Sequence, residues 1–179
     1  NLLIMSNINL DNNALKYILF QRTELLVHTR KILIKQILKI YCRIFKKDFL
    51  PAMINLECAI RKKGIKRDYI NCMYEEYNSF KEYIPSSITN YLDIGCGIAI
   101  VNIFIKEKLT DKFNKLILID KTETDKEIHY GFKDVASFYN SLELAKSTLI
   151  KNGFNKDKIN IIEPKDNNLN LNIKFDFAI

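Results

Sequence analysis

Residues 91–120 hold the side chains whose types and spacing suit chemistry, namely the holding of a nucleotide-like ligand. The run at 91–99 is Tyr-Leu-Asp-Ile-Gly-Cys-Gly-Ile-Ala. An apolar strand ends at Asp93, Gly95 and Gly97 form a tight turn, and an apolar helix follows. Glycines there let a ligand approach the backbone, because no Cβ intervenes. The helix start offers unpaired N–H groups and a positive dipole end. Cys96 lies within the turn, where its backbone matters more than its sulfur. The dinucleotide fingerprint Gly-x-Gly-x-x-Gly is broken, since its third glycine falls on Ile100. Asp93 also disfavours a pyrophosphate, because a carboxylate repels phosphates strongly in a low-dielectric pocket. The same carboxylate suits a ligand carrying an ammonium group. Asp120 ends the next apolar run, 23 residues beyond Gly97. In nucleotide-binding βαβ units an acid about 20 residues past the glycines accepts hydrogen bonds from ribose hydroxyls.

The elements that must position these groups are legible as alternating patterns. Strands are expected at 90–94, 115–120 and 159–162, with a fourth beginning at Phe175 and running to Ile179. Between them, a helix is expected from Ile98 to about Leu109 and another from about Ser137 to Asn152, ended by Gly153. Strands alternating with helices predict a parallel sheet in an α/β fold, Rossmann-like, of which this chain holds the front half in about four strands. Ahead of it, an α-helical extension is expected: one long helix over Asn13 to Lys46 capped by Asp11, a second ending at Gly64 behind Arg61-Lys62-Lys63, and a third from Arg67 to Tyr83. The chain begins at Asn1, with Met5 as a candidate start, and stops inside the fourth strand; it reads as a partial sequence.

Asp93-Ile94-Gly95-Cys96-Gly97 resembles the first motif of class I S-adenosylmethionine-dependent methyltransferases, Asp/Glu-x-Gly-x-Gly after a strand. The resemblance covers about 91–179, and in the connection after Asp120, with Lys121-Thr122-Glu123, His129-Tyr130-Gly131-Phe132 and Phe138-Tyr139-Asn140-Ser141, it is to bacterial methyltransferases of unassigned or sugar-related substrate. S-adenosyl-L-methionine, the cofactor it implies, carries an ammonium, a sulfonium and one carboxylate. By the same resemblance, Asp93, Gly95 and Gly97 hold the methionine part, Asp120 the ribose, and Glu163 at the end of the third strand the adenine amino group, with Cys96 and Lys121 in the same cofactor-binding set. Ala99 stands where many family members have a third glycine, and alanine is small enough for close helix–strand packing. The activity implied is methyl transfer to a small-molecule or sugar hydroxyl. No catalytic residue is assigned, since the acceptor-site residues of this family usually follow the fourth strand. The connection after Asp120 is long enough to be a lid, and His129 within it is a candidate general base.

Charge divides the chain. Residues 1–90 hold 15 Lys and Arg against 8 Asp and Glu, whereas 91–179 are neutral. The division places a basic helical region at 1–86 and the cofactor-binding domain at 87–179, joined near Pro85-Ser86-Ser87. Lys31, Lys35, Lys39 and Arg43 recur every four residues and form a cationic stripe on the first helix, whose apolar face is expected to pack on the rest of the protein. The stripe suits the phosphates of RNA, an anionic lipid surface or an acidic glycan; an RNA methyltransferase docking through the basic helices, or a non-catalytic or truncated cofactor-binding protein, are the alternative readings. The four cysteines lack Cys-x-x-Cys spacing and read as reduced thiols of a cytoplasmic protein, with no metal framework. No stretch is apolar enough to span a membrane.

Overall fold

Buried parallel strands are near-continuous apolar runs, and such runs build the sheet of this computed structural model, which describes residues 5, 7–109, 111–122, 140–164 and 171–179. Strands β1 (Asn90–Ile94), β2 (Lys115–Ile119), β3 (Ile159–Ile162) and the short β4 (Phe177–Ala178) are all parallel, in the order β3-β2-β1-β4. β1 and β2 are in register from Asn90 opposite Lys115 to Ile94 opposite Ile119. Gly95 and Asp120 therefore leave the sheet side by side. The chain is an α/β protein with a four-stranded parallel sheet preceded by helices, as the alternating pattern implies.

The helices are α1 (Leu15–Gln21), α2 (Ile32–Phe45), α3 (Phe49–Phe80), α4 (Ile100–Ile105) and α5 (Leu142–Lys151). Every residue of α4 is buried. Its far side from the sheet is closed by α3, where Tyr74 and Tyr77 set their rings 5.2 and 5.7 Å from that of Phe104. One buried cluster runs from Leu10 in the N-terminal segment to Ile159 in β3. The helix after the glycine turn is thus held from both sides. Among the described residues, no helix is long and apolar enough to cross a membrane.

The helices depart from the sequence reading at three main places. The long helix expected over 13–46 is broken between Gln21 and Ile32. There the N–H groups of Val27, His28 and Thr29 turn inward and donate to the Glu57 carboxylate at 3.2, 3.0 and 2.9 Å. A tertiary partner 28–30 residues away outweighs local helical periodicity. Gly64 does not end a helix either; α3 passes through it and is interrupted only at Arg61, with φ −130° and ψ 25°. The Arg61 side chain folds back along the helix, and a Cβ on residue 64 would stand 2.9 Å from its Nε. Gly64 makes room for Arg61. Third, α5 starts at Leu142 rather than near Ser137, because Ser141 adopts extended φ/ψ and its hydroxyl accepts the Leu144 N–H; residues 137–139 lie outside the described residues.

Candidate functional site

The glycine turn is built by the ends of β1 and β2. The Gly95 N–H donates to the Ile119 carbonyl at 2.7 Å, carrying the sheet ladder one step beyond the strands. Gly95 and Gly97 then take φ of +73° and +52°, a left-handed backbone that glycine adopts without a Cβ clash. Among the described residues, a Cβ on Gly95 would meet nothing within 4 Å, so none of them covers the turn there. Ile94 beside it is 57% exposed although it ends a central strand. Ala99 shares the positive φ, at +61°, and immediately precedes α4. Helix α4 has only six residues, which leaves little macrodipole to act at the turn.

Asp120 closes the turn from β2. Its Oδ2 accepts the Gly97 N–H at 2.9 Å and the Asn140 Nδ2 at 2.8 Å, while Oδ1 accepts the Lys121 N–H at 2.8 Å. The spacing of 23 residues thus corresponds to direct contact. Burial raises the Asp120 pKa, and these three hydrogen bonds oppose it without cancelling it. Asp93 lies underneath, 5% exposed. Its carboxylate accepts the Nδ2 of Asn102, on α4, at 2.5 Å. Burial is the main cause that pushes its pKa up to about 7; the Asn102 bond opposes this, and the nearby Asp120 and Glu76 carboxylates add to it. Among the described residues, no cation is among the groups acting on Asp93.

Acceptors outnumber donors here. Among the described residues, the Oδ1 atoms of Asn102 and Asn140 are buried without a hydrogen-bond partner, as is the Tyr91 hydroxyl, whose proton burial and Asp93 hold on well above the usual pKa. Buried orphan acceptors are costly. Two carboxylates with raised pKa and two orphan amide oxygens together favour a ligand that is cationic and rich in N–H or O–H donors, and disfavour a phosphate.

Of the residues singled out from the sequence, Asp93, Gly95, Cys96, Gly97, Asp120 and Lys121 come together at this turn. The Cys96 thiol is buried, 3.9 Å from the Asn140 amide, and burial together with Asp93 raises its pKa, so it is no nucleophile. Glu163 sits at the end of β3, exposed; its Oε1 accepts the Thr122 N–H at 3.0 Å and ties down the chain just past Asp120. His129 and most of the connection around it lie outside the described residues. Three site residues escaped the sequence reading: Asn102, Asn140 and Gln21. The last is the end of α1, whose amide oxygen stands 3.1 Å from where a Gly97 Cβ would be. An asparagine inside a wholly apolar helix was a visible signal for Asn102; Asn140 and Gln21 have none, since both arrive from distant sequence. Comparison of the chain with protein-family models, with curated proteins and with solved structures gave no match.

Proposed function

We propose that the chain binds S-adenosyl-L-methionine at the glycine turn and serves methyl transfer to a small-molecule or sugar hydroxyl. The observation that carries the proposal is the surplus of buried acceptors, Asp93, Asp120 and the orphan oxygens of Asn102 and Asn140, around an open glycine bend. Asp120 would accept ribose hydroxyls, with Asn140 turning its amide to share them. Gly95 and Gly97 would let the methionine part lie on the backbone, and the Asp93 charge beneath would favour the positive groups of the cofactor. Gln21 would border the methionine part from the opposite side, and Glu163 with Lys121 the outer, adenine-facing rim. The cofactor supplies an already activated methyl on its sulfonium. What remains for the chain is to orient the reactants and to exclude water. The hydroxyl acceptor is inferred from the family resemblance of the connection after Asp120.

Calorimetric titration of the full chain with S-adenosylhomocysteine and with NAD tests the cofactor. We expect the first to bind and Asp120→Ala to weaken it at least tenfold, in line with losing hydrogen bonds to a charged group. Preference for NAD, or indifference to Asp120→Ala, would overturn the reading. Methyl transfer from radiolabelled cofactor to a panel of sugars and to RNA separates the hydroxyl acceptor from the RNA reading, and absence of transfer to any acceptor leaves a cofactor-binding protein.

A further inference from the structure

Helix α2 is apolar over far more of its surface than it buries. Only Leu38 and Cys42 of its residues are buried. Leu33, Ile37, Ile40 and Ile44, spaced four, three and four apart along one face, are 69, 58, 62 and 66% exposed. This corrects the expectation that its apolar face packs on the rest of the protein. The exposed face continues into an apolar groove of about 590 Å³ between α2 and α3, lined by Ile37, Tyr41, Pro51 and Leu56, with Lys47 and Asp48 at one end. Along the other edge run Arg43 and Lys39, with Lys35 further round toward the packed side, all exposed. From Arg30 to Lys47 there are seven Lys and Arg and no acid, so this segment alone carries a charge equal to the +7 of the whole chain.

We infer that α2 docks the protein onto an anionic lipid bilayer, lying in the interfacial plane with Leu33, Ile37, Ile40 and Ile44 in the acyl boundary. The argument is one of complementarity. A bilayer surface offers hydrocarbon below and phosphates at the border, and α2 presents a broad aliphatic face with cations along its rim, where long side chains reach headgroups. A second copy of the same face would bring seven positive charges against seven. A polynucleotide would satisfy the cations and leave the isoleucines in water. The inference does not depend on methyl transfer, and the test reads lipid binding alone.

The test is flotation of the full chain with vesicles of phosphatidylcholine and with vesicles of equal parts phosphatidylcholine and phosphatidylglycerol. Two variants accompany it: Leu33→Glu with Ile40→Glu, and Lys35→Gln with Lys39→Gln and Arg43→Gln. All five side chains are exposed, so thermal melting should match the parent. We expect binding to the anionic vesicles only, abolished by the glutamates and weakened roughly fivefold per cation removed, about a hundredfold for three. Failure to bind the anionic vesicles would overturn the inference, as would binding that survives the glutamates. So would self-association that the glutamates abolish, or RNA binding in place of flotation, lost with the three glutamines and kept with the glutamates.

Discussion

Among the described residues two carboxylates are shut away from water, Glu57 in the helical half and Asp93 beneath the glycine turn, and they titrate in opposite directions. Burial pushes both upward. At Glu57 that push is outweighed by N–H groups from Thr29, His28 and Val27 and by the Thr29 hydroxyl, and the pKa falls to about 2. Arg61 adds an ion pair at 3.3 Å and donates a second hydrogen bond to the Leu25 carbonyl at 2.8 Å, while its other nitrogen reaches Asp68. Asp93 has one amide, that of Asn102, and two acidic neighbours. Depth is therefore not what distinguishes a compensated carboxylate from an uncompensated one. The distinction lies in how many of its lone pairs the fold itself fills. Glu57 is finished by the chain; Asp93 is not.

The largest way to break the comparison is to delete the finished group. Glu57→Ala takes one of Arg61's two ion-pair partners and leaves three backbone N–H groups without acceptors. We expect a loss of about 3–5 kcal/mol in urea unfolding, with the 22–31 segment losing protection from hydrogen exchange. A loss below 1 kcal/mol would place Glu57 with ordinary surface acids. Asp93→Asn should do the reverse. The folded pKa of Glu57 lies below its ordinary 4.5, so its contribution is complete above that pH and is lost as the pH falls toward about 2. The folded pKa of Asp93 lies above its ordinary 3.8, so its contribution is complete below that pH and is lost as the pH rises through about 7. Asp93→Asn removes the second loss. The variant should match the parent near pH 3 and exceed it by roughly 2–4 kcal/mol near pH 8, and saturating S-adenosylhomocysteine should narrow that gap. Equal stabilities at pH 8 would mean that Asp93 is as fully compensated as Glu57.

A smaller effect sharpens the contrast within the site. Asp120 stands between the two extremes, with three N–H donors and a pKa still raised. Asn140→Ala removes one donor from Asp120 and the orphan Oδ1 together. Because it deletes a cost along with a bond, we expect unfolding stability to change by less than about 1 kcal/mol. Affinity for S-adenosylhomocysteine should fall about tenfold if Asn140 shares the ribose hydroxyls. A change in stability without a change in affinity would make Asn140 a structural residue.

The sheet was readable because buried parallel strands show as unbroken apolar runs, as Leu116 to Ile119 does. The placement of Asp120 at the glycine turn was readable because a βαβ unit has a nearly fixed length; its bond to the Gly97 N–H was not. What escaped was set by contacts remote in sequence. Nothing near residue 57 marks it as the acceptor for Val27, His28 and Thr29, for its neighbours alternate as in any surface helix. The break between α1 and α2 contains neither glycine nor proline, so local propensity had no reason to stop the helix. Gly64 was misread for the complementary reason. Its local meaning is a helix end, and its actual function is to clear the Arg61 side chain, which propensity cannot see.

Ala99 offers the finest discrimination, because sequence and structure give different reasons for the same substitution. Position 99 read as a place where a small side chain suffices for helix–strand packing, and alanine meets that need. The structure adds that residue 99 sits at φ +61° and ψ 23°, a left-handed conformation that costs a residue with a Cβ about 1–2 kcal/mol. Its N–H also donates to the Cys96 carbonyl at 2.7 Å, so the turn cannot relax by changing φ without losing that bond. Ala99→Gly should relieve the strain while enlarging the unfolded ensemble by nearly as much. The net expectation is a gain of about 0.5 kcal/mol, read as a rise of a few degrees in Tm. Ala99→Val separates the two reasons more sharply. If small size alone governed the position, the cost would be only that of overpacking, about 1–3 kcal/mol, and Ala99→Gly would be destabilising. If backbone strain governs it, the β-branched side chain adds to that cost, and glycine is the only one of the three residues to improve on the parent.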